Sequence, residues 1–224
     1  MLPWEKLDAV AIAGGSDELR LMRRGAEYSI MLGTNELMNS RLSGSEQALA
    51  TLACEKLVGV GAPAVLIGGL GMGFTLRAAL DVLPANARVQ VAELVPAVVK
   101  WARGPMAALF DGCLDDPRAR VVEGDVLALI RASKAAFDAI LLDVDNGPDG
   151  LTRAGNDGLY SSRGLEAARQ ALKPGGVLTV WSSAPDERFT QRVKAAGFTV
   201  EAVPVRAHGK RGARHVIWVA VKGR

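Results

Sequence analysis

The sequence predicts an α/β protein built on a Rossmann-like, seven-stranded and mostly parallel sheet. An antiparallel edge strand, helices on both faces and a small N-terminal β extension complete the expectation. Three observations carry it. From residue 63 onward, short apolar runs alternate with helix-like segments, the pattern of a parallel sheet covered on both faces. Pro63, Pro84, Pro96, Pro117, Pro174 and Pro185 punctuate the boundaries between them. The first apolar run, Val65-Leu66-Ile67-Gly68, passes straight into Gly69-Leu70-Gly71-Met72-Gly73. Glycines there let the backbone turn sharply and approach a ligand where a side chain would collide.

Taken in order, residues 1–50 read as a β-hairpin extension with a linking segment, and residues 51–224 as the Rossmann-like domain. Glu18 to Arg23 and Glu27 to Leu32 alternate in part and flank Arg24-Gly25-Ala26, which predicts a hairpin. Ser45 to Val58 reads as a helix, with Ser43 or Ser45 as its cap. Strands follow at 64–68, 88–93, 119–123, 137–143, 176–182, 198–204 and 215–221. Helices fit 72–83, 96–110, 125–132, 162–172 and 186–196. No helix fits between the last two strands, so they pair antiparallel at an edge.

Composition narrows the class. The 224 residues are 49% hydrophobic and 23% charged, ordinary for a globular protein with a sizeable core. The net charge of +3 is too small to argue for nucleic acid. A basic run from Arg206 to Arg214 raises that idea locally, but a solvated hairpin loop is the favoured reading. Cys54 and Cys113 sit in apolar surroundings without a disulfide or metal spacing, which points to a cytoplasmic chain. His208 and His215 lack partners at ligand spacing, so no metal is expected. No apolar run is long enough for a membrane span, and the N-terminus lacks a signal-peptide order.

In an open α/β sheet the ligand lies beyond the carboxyl ends of the strands. Four such ends carry suggestive residues. The glycine turn, through Gly69, Gly71 and Gly73, is the first; glycine turns also join many strands to helices without a ligand. Glu93 ends the next strand, about 20 residues after Gly73, where a carboxylate accepts hydrogen bonds from both ribose hydroxyls; a solvated strand end is the alternative. Asp125 follows Gly124 and suits an adenine amino group, or a helix N-cap, or both, since a carboxylate has two oxygens. Val126 beside it joins the cofactor set. The apolar run from Phe137 delivers Asp143 to a central strand tip, with Asp145 and Asn146 after it. Clustered carboxyls there suit a cationic group or proton abstraction, against the alternative of a capped, solvated turn. The third glycine falls two residues after the second, a G-x-G-x-G spacing that fits an adenosine with an amino-acid-like tail better than a dinucleotide.

With these residues in place, the chain resembles the class I S-adenosylmethionine-dependent methyltransferase superfamily, and within it the spermidine synthase-like branch. The resemblance rests on Val65 to Gly69, Gly124-Asp125, Phe137 to Asp143, Leu159 to Leu165 and Ala171 to Leu178. It covers about residues 28–204. It implies S-adenosylmethionine or its decarboxylated form as cofactor, with Gly69, Gly71 and Gly73 on the tail and ribose, Glu93 on the ribose and Asp125 on adenine. It implies that Asp143 orients the attacking group, that Tyr160 closes over cofactor or acceptor, and that the N-terminal extension mediates a homodimer.

Departures from the branch shape the functional expectation. Met72 stands where polyamine synthases carry an aspartate, and their Asp-Ser-Ser-Asp loop reads Asp143-Val144-Asp145-Asn146. A diamine needs a carboxylate or π-face at each positive charge. The sequence therefore predicts methyl transfer from S-adenosylmethionine to a small-molecule acceptor. Asp143, Asp145 and Tyr160 are the catalytic candidates. Aminopropyl transfer is the alternative, and a non-catalytic nucleoside-binding homologue a further one.

Overall fold

The computed structural model describes residues 2–12, 18–144, 157–208 and 211–224. The N-terminal sheet is four-stranded and antiparallel: β1 (Glu5–Ala11), β2 (Glu18–Arg24), β3 (Glu27–Leu32) and β4 (Asn35–Asn39), in that order. The expected hairpin is its centre, β2 against β3. The outer strands escape the periodicity for local reasons. A register shift between Lys6 and Asp8 breaks the alternation of β1, and β4 is short and polar-ended. The Trp101 indole donates to Asp8 Oδ2 at 2.8 Å, and the Tyr28 hydroxyl to the Pro105 carbonyl at 2.6 Å, tying this sheet to the larger domain. Next comes α1 (Gly44–Glu55), which spans the 50/51 position and packs on α2 (Phe74–Val82).

The second sheet contains β5 (Ala64–Gly68), β6 (Arg88–Glu93), β7 (Ala119–Glu123), β8 (Phe137–Leu142), β9 (Leu172–Ser182), β10 (Phe198–His208) and β11 (Arg211–Lys222). Its order is β10-β11-β9-β8-β5-β6-β7. Strands β5 to β9 run parallel, and β11 is antiparallel to both of its neighbours. The strand order reverses between β5 and β8, which opens a crevice at their carboxyl ends. Every residue of β5 and β8 is buried, as apolar runs covered on both faces require.

Helices α3 (Pro96–Arg103), α4 (Ala107–Phe110), α5 (Val126–Arg131), α6 (Asp157–Tyr160), α7 (Ser162–Ala171) and α8 (Glu187–Ala195) complete the fold. The single helix expected over 96–110 divides into α3 and α4 at Gly104-Pro105, because a residue before proline avoids helical torsions. One core, around Leu49, Leu76, Trp101, Met106 and Phe110, lies on one sheet face. The other holds Phe189 between Tyr160 and Trp218, with edge-on ring contacts at 5.8 and 4.8 Å. Buried Asp138 fastens three strands: its Oδ2 accepts from the Ala64 amide at 2.8 Å and from Lys173 Nζ at 2.6 Å. The basic run closes the β10–β11 hairpin, with residues 209 and 210 outside the described part. Among the described residues no helix is long and apolar enough to cross a membrane.

Candidate functional site

The carboxyl ends of β5, β6, β7 and β8 surround two adjoining hollows, about 880 and 680 Å³ in volume. Leu37, Met38, Gly71 and Asp143 belong to both. The larger is lined by Gly69, Glu93, Gly124, Asp125 and Val126. The smaller is lined by Asn39, Glu46, Met72, Phe74 and Trp181. The sequence-predicted residues Gly69, Gly71, Glu93, Asp125, Val126 and Asp143 thus converge on one place. Asp145 lies outside the described residues.

Protein contacts by themselves require glycine at two positions of the turn. Gly69 has φ +90°, and a Cβ on it would stand 2.3 Å from the Asp143 carbonyl oxygen. Gly73 has φ +79° at the N-cap of α2, and a Cβ there would meet the Phe110 ring at 2.5 Å. Gly73 shapes the turn without being among the residues that line either hollow.

Glu93 is buried and holds the turn in place. Its Oε2 accepts from the Leu70 amide at 3.0 Å, and its Oε1 from the Val95 amide at 2.8 Å. Burial raises its pKa, and those backbone donors work against the rise. The Gly71 and Leu94 amides add to these two, so four backbone donors hold the carboxylate at the wall of the larger hollow. Asp125 does cap α5, accepting from the Leu127 amide at 2.8 Å. Asp125 also lines the larger hollow, so the residue that caps the helix borders the crevice as well.

At the far end stand two carboxyls. Asp143, at the tip of β8, is half-buried, and its Oδ2 accepts from the Thr75 hydroxyl at 2.6 Å. Burial pushes its pKa up to about 7; the Glu46 carboxylate adds to the rise and the Thr75 bond opposes it. Glu46, in the first turn of α1, also has a raised pKa, chiefly from burial. Sequence reasoning missed Glu46 and Thr75. Nothing in their spacing links them to the glycine turn, and only the packing of α1 against α2 brings them to Asp143. Trp181 lines the smaller hollow, and its buried indole nitrogen has no hydrogen-bond partner among the described residues.

Tyr160 stands apart from both linings. Its ring belongs to the second core, and its hydroxyl donates to the Val144 carbonyl at 3.2 Å. In the structure it supports the chain just after Asp143.

The geometry has counterparts among known proteins. A family model described as "Spermine/spermidine synthase domain" matches residues 7–195. Polyamine aminopropyltransferase 1 of Streptomyces coelicolor is 37% identical over 123 residues, 54% of this chain and 22% of that relative. Polyamine aminopropyltransferase of Mycobacterium tuberculosis is 34% identical over 149 residues, 62% of this chain and 28% of that relative. The chain thus matches about a quarter of the length of these relatives. In fold, it is similar to the crystal structure of spermidine synthase from Thermotoga maritima, with TM-score 0.75 at 19% identity over 97% of this chain and 72% of that one. A spermidine synthase structure in complex with the transition-state analogue AdoDATO gives 0.76 over the same shares.

These matches overturn the expectation of methyl transfer. That expectation leaned on Met72 and Asn146 as lost carboxylates; it could not weigh Glu46, which the fold places beside Asp143. Among the described residues lining the two hollows there are four carboxyls and no Lys or Arg. A methionine-type tail brings its own carboxylate and would meet no cation among the described lining residues. On the extent of the family match, this chain belongs to the spermine/spermidine synthase domain family.

Proposed function

We propose that the chain transfers an aminopropyl group from decarboxylated S-adenosylmethionine to an amine acceptor. The observation that carries this reading is the Asp143–Glu46 carboxyl pair at the end of a crevice whose described lining holds no cation. The decarboxylated nucleoside ends in an ammonium, and the acceptor is an amine, so both reacting partners bring positive charge to that end.

In this reading Asp125 and Val126 hold the adenine, Glu93 the ribose, and Gly69 and Gly71 the tail. Asp143 and Glu46 orient the acceptor nitrogen and take its proton, with Asp145, two positions after Asp143 in the sequence, as a further candidate. Tyr160 acts indirectly, by bracing the Val144 carbonyl behind Asp143. The acceptor nitrogen attacks the carbon attached to the sulfonium, the carbon–sulfur bond breaks, and its electron pair stays on sulfur. The sulfonium supplies the leaving group; the chain supplies proximity, alignment and proton removal. A carboxyl titrating near neutrality suits that last task, because an acid of pKa 4 is a poor base at pH 7. The N-terminal sheet, set as a separate layer beside the domain, is the surface on which a homodimer would form.

Isothermal calorimetry with the two nucleosides tests the proposal. The decarboxylated form should bind at least tenfold more tightly than S-adenosylmethionine, and labelled aminopropyl should appear on an added amine. Equal binding, or tighter binding of the carboxylated form, would falsify it.

A further inference from the structure

The two carboxyls of the site are held by different kinds of partner. Asp143 is bonded to Thr75, whose hydroxyl also lies 3.4 Å from the Glu46 main-chain oxygen and leads to no second titratable group. Glu46 is bonded to Ser45, and Ser45 leads onward. The Ser45 hydroxyl lies 2.7 Å from Glu46 Oε2 and 2.9 Å from His215 Nδ1. Ser45 is buried, with 1% of its surface exposed. Its hydroxyl makes no cap bond for α1, whose N-cap is Ser43. A serine has one hydroxyl hydrogen. With that hydrogen on Glu46, His215 Nδ1 must be the donor to Ser45.

His215 stands on β11, half-buried, with the Trp181 ring edge-on at 4.7 Å. From α1 it meets Ser45, with Glu46 beyond; from β9, Trp181; from β10, its register partner Val205. Arg206 and Arg214 pair at the adjacent register position and so point to the opposite face of the sheet. Burial is what lowers the imidazole pKa, so the ring is neutral near pH 7 and carries one N–H, which the Ser45 contact places on Nδ1.

We propose that Ser45 and His215 are positioning residues: His215 Nδ1–H donates to Ser45, Ser45 donates to Glu46, and the line holds the Glu46 carboxylate where it takes the proton of the acceptor amine. The inference rests on the aminopropyl-transfer reading. The acceptor arrives as an ammonium and gives one proton to Glu46. The freed amine lone pair forms the new carbon–nitrogen bond while the carbon–sulfur electrons leave with sulfur, so each transfer leaves one proton on Glu46, which returns to solvent before the next.

The full chain has two histidines, which makes imidazole nitrogen NMR decisive. Resting protein should show His215 as the Nδ1–H tautomer, with a titration midpoint that moves in both Ser45→Ala and Glu46→Gln. An Nε2–H tautomer, or a midpoint untouched by Ser45→Ala, overturns the hydrogen-bonded line whatever the activity. In kinetics, His215→Asn keeps an N–H donor for Ser45 and His215→Phe has none. The kcat of His215→Phe should fall at least tenfold with KM within twofold, and His215→Asn should keep most of the wild-type kcat. A wild-type kcat in His215→Phe, or an equal loss in both variants, overturns the positioning role. Loss of all turnover in the unaltered protein, with equal binding of both nucleosides, overturns instead the functional reading, and the NMR result distinguishes the two.

Discussion

Replacing Asp143 by asparagine should stabilise the folded protein at pH 8 while removing its activity. The Asp143 carboxyl ordinarily titrates at 3.8, and burial, with help from Glu46, raises this to about 7. Well below pH 3.8 the group is protonated in folded and unfolded chains alike, so it contributes no difference. As pH rises toward 7 the unfolded chain ionises first, and stability falls by about 1.4 kcal/mol per pH unit. Above the folded pKa the loss levels off at a ceiling of about 4 kcal/mol. Glu46 shares the shift and the hollow admits water, so about half of that, roughly 2 kcal/mol, is the expected gain for Asp143→Asn at pH 8. Asparagine keeps an oxygen for the Thr75 hydroxyl, so the bond at that position survives. Urea unfolding of both proteins between pH 4 and 8 measures the effect. The difference should be near zero at pH 4 and widen steadily to pH 7. A difference that stays within about 0.5 kcal/mol across the whole range would refute the argument that the site strains its own carboxyl.

Further predictions concern the glycine turn, the adenine end and the thiols. Gly69→Ala places a Cβ against the Asp143 carbonyl at φ +90°, and should cost at least about 3 kcal/mol in the same unfolding assay. Asp125→Ala removes the α5 cap bond and should lower stability by about 1 kcal/mol while weakening nucleoside binding in calorimetry; Asp125→Asn should restore the cap alone. Burial pushes the Cys54 and Cys113 thiols up to about 11, so iodoacetamide at pH 8 should label the native protein roughly a hundredfold more slowly than the urea-unfolded chain. Labelling at equal rates would show that these cysteines are not held in the core.

What the sequence determined by itself follows from local rules. Buried strands such as Ala64–Gly68 and Phe137–Leu142 are apolar apart from the paired Asp138, and the glycine and aspartate that follow them stand out against that background. Gly69, Glu93, Asp125 and Asp143 stand out in the string because each ends or follows an apolar strand run, a local pattern, and the fold brings them to one hollow. The hairpin β2–β3 was legible for the same reason, while the bulged β1 and the short β4 were not. The tertiary structure alone decided what faces Asp143. Glu46 and Ser45 belong to a helix before the sheet begins, Thr75 to α2 and His215 to the last strand. Sequence separations of 68 residues between Thr75 and Asp143, and 170 between Ser45 and His215, leave no trace in periodicity or spacing. Reading substitutions from the string alone counted the carboxylates lost at Met72 and Asn146. The fold supplied Glu46 beside Asp143, because side-chain chemistry at a site depends on distance in space and the chain records only distance along itself.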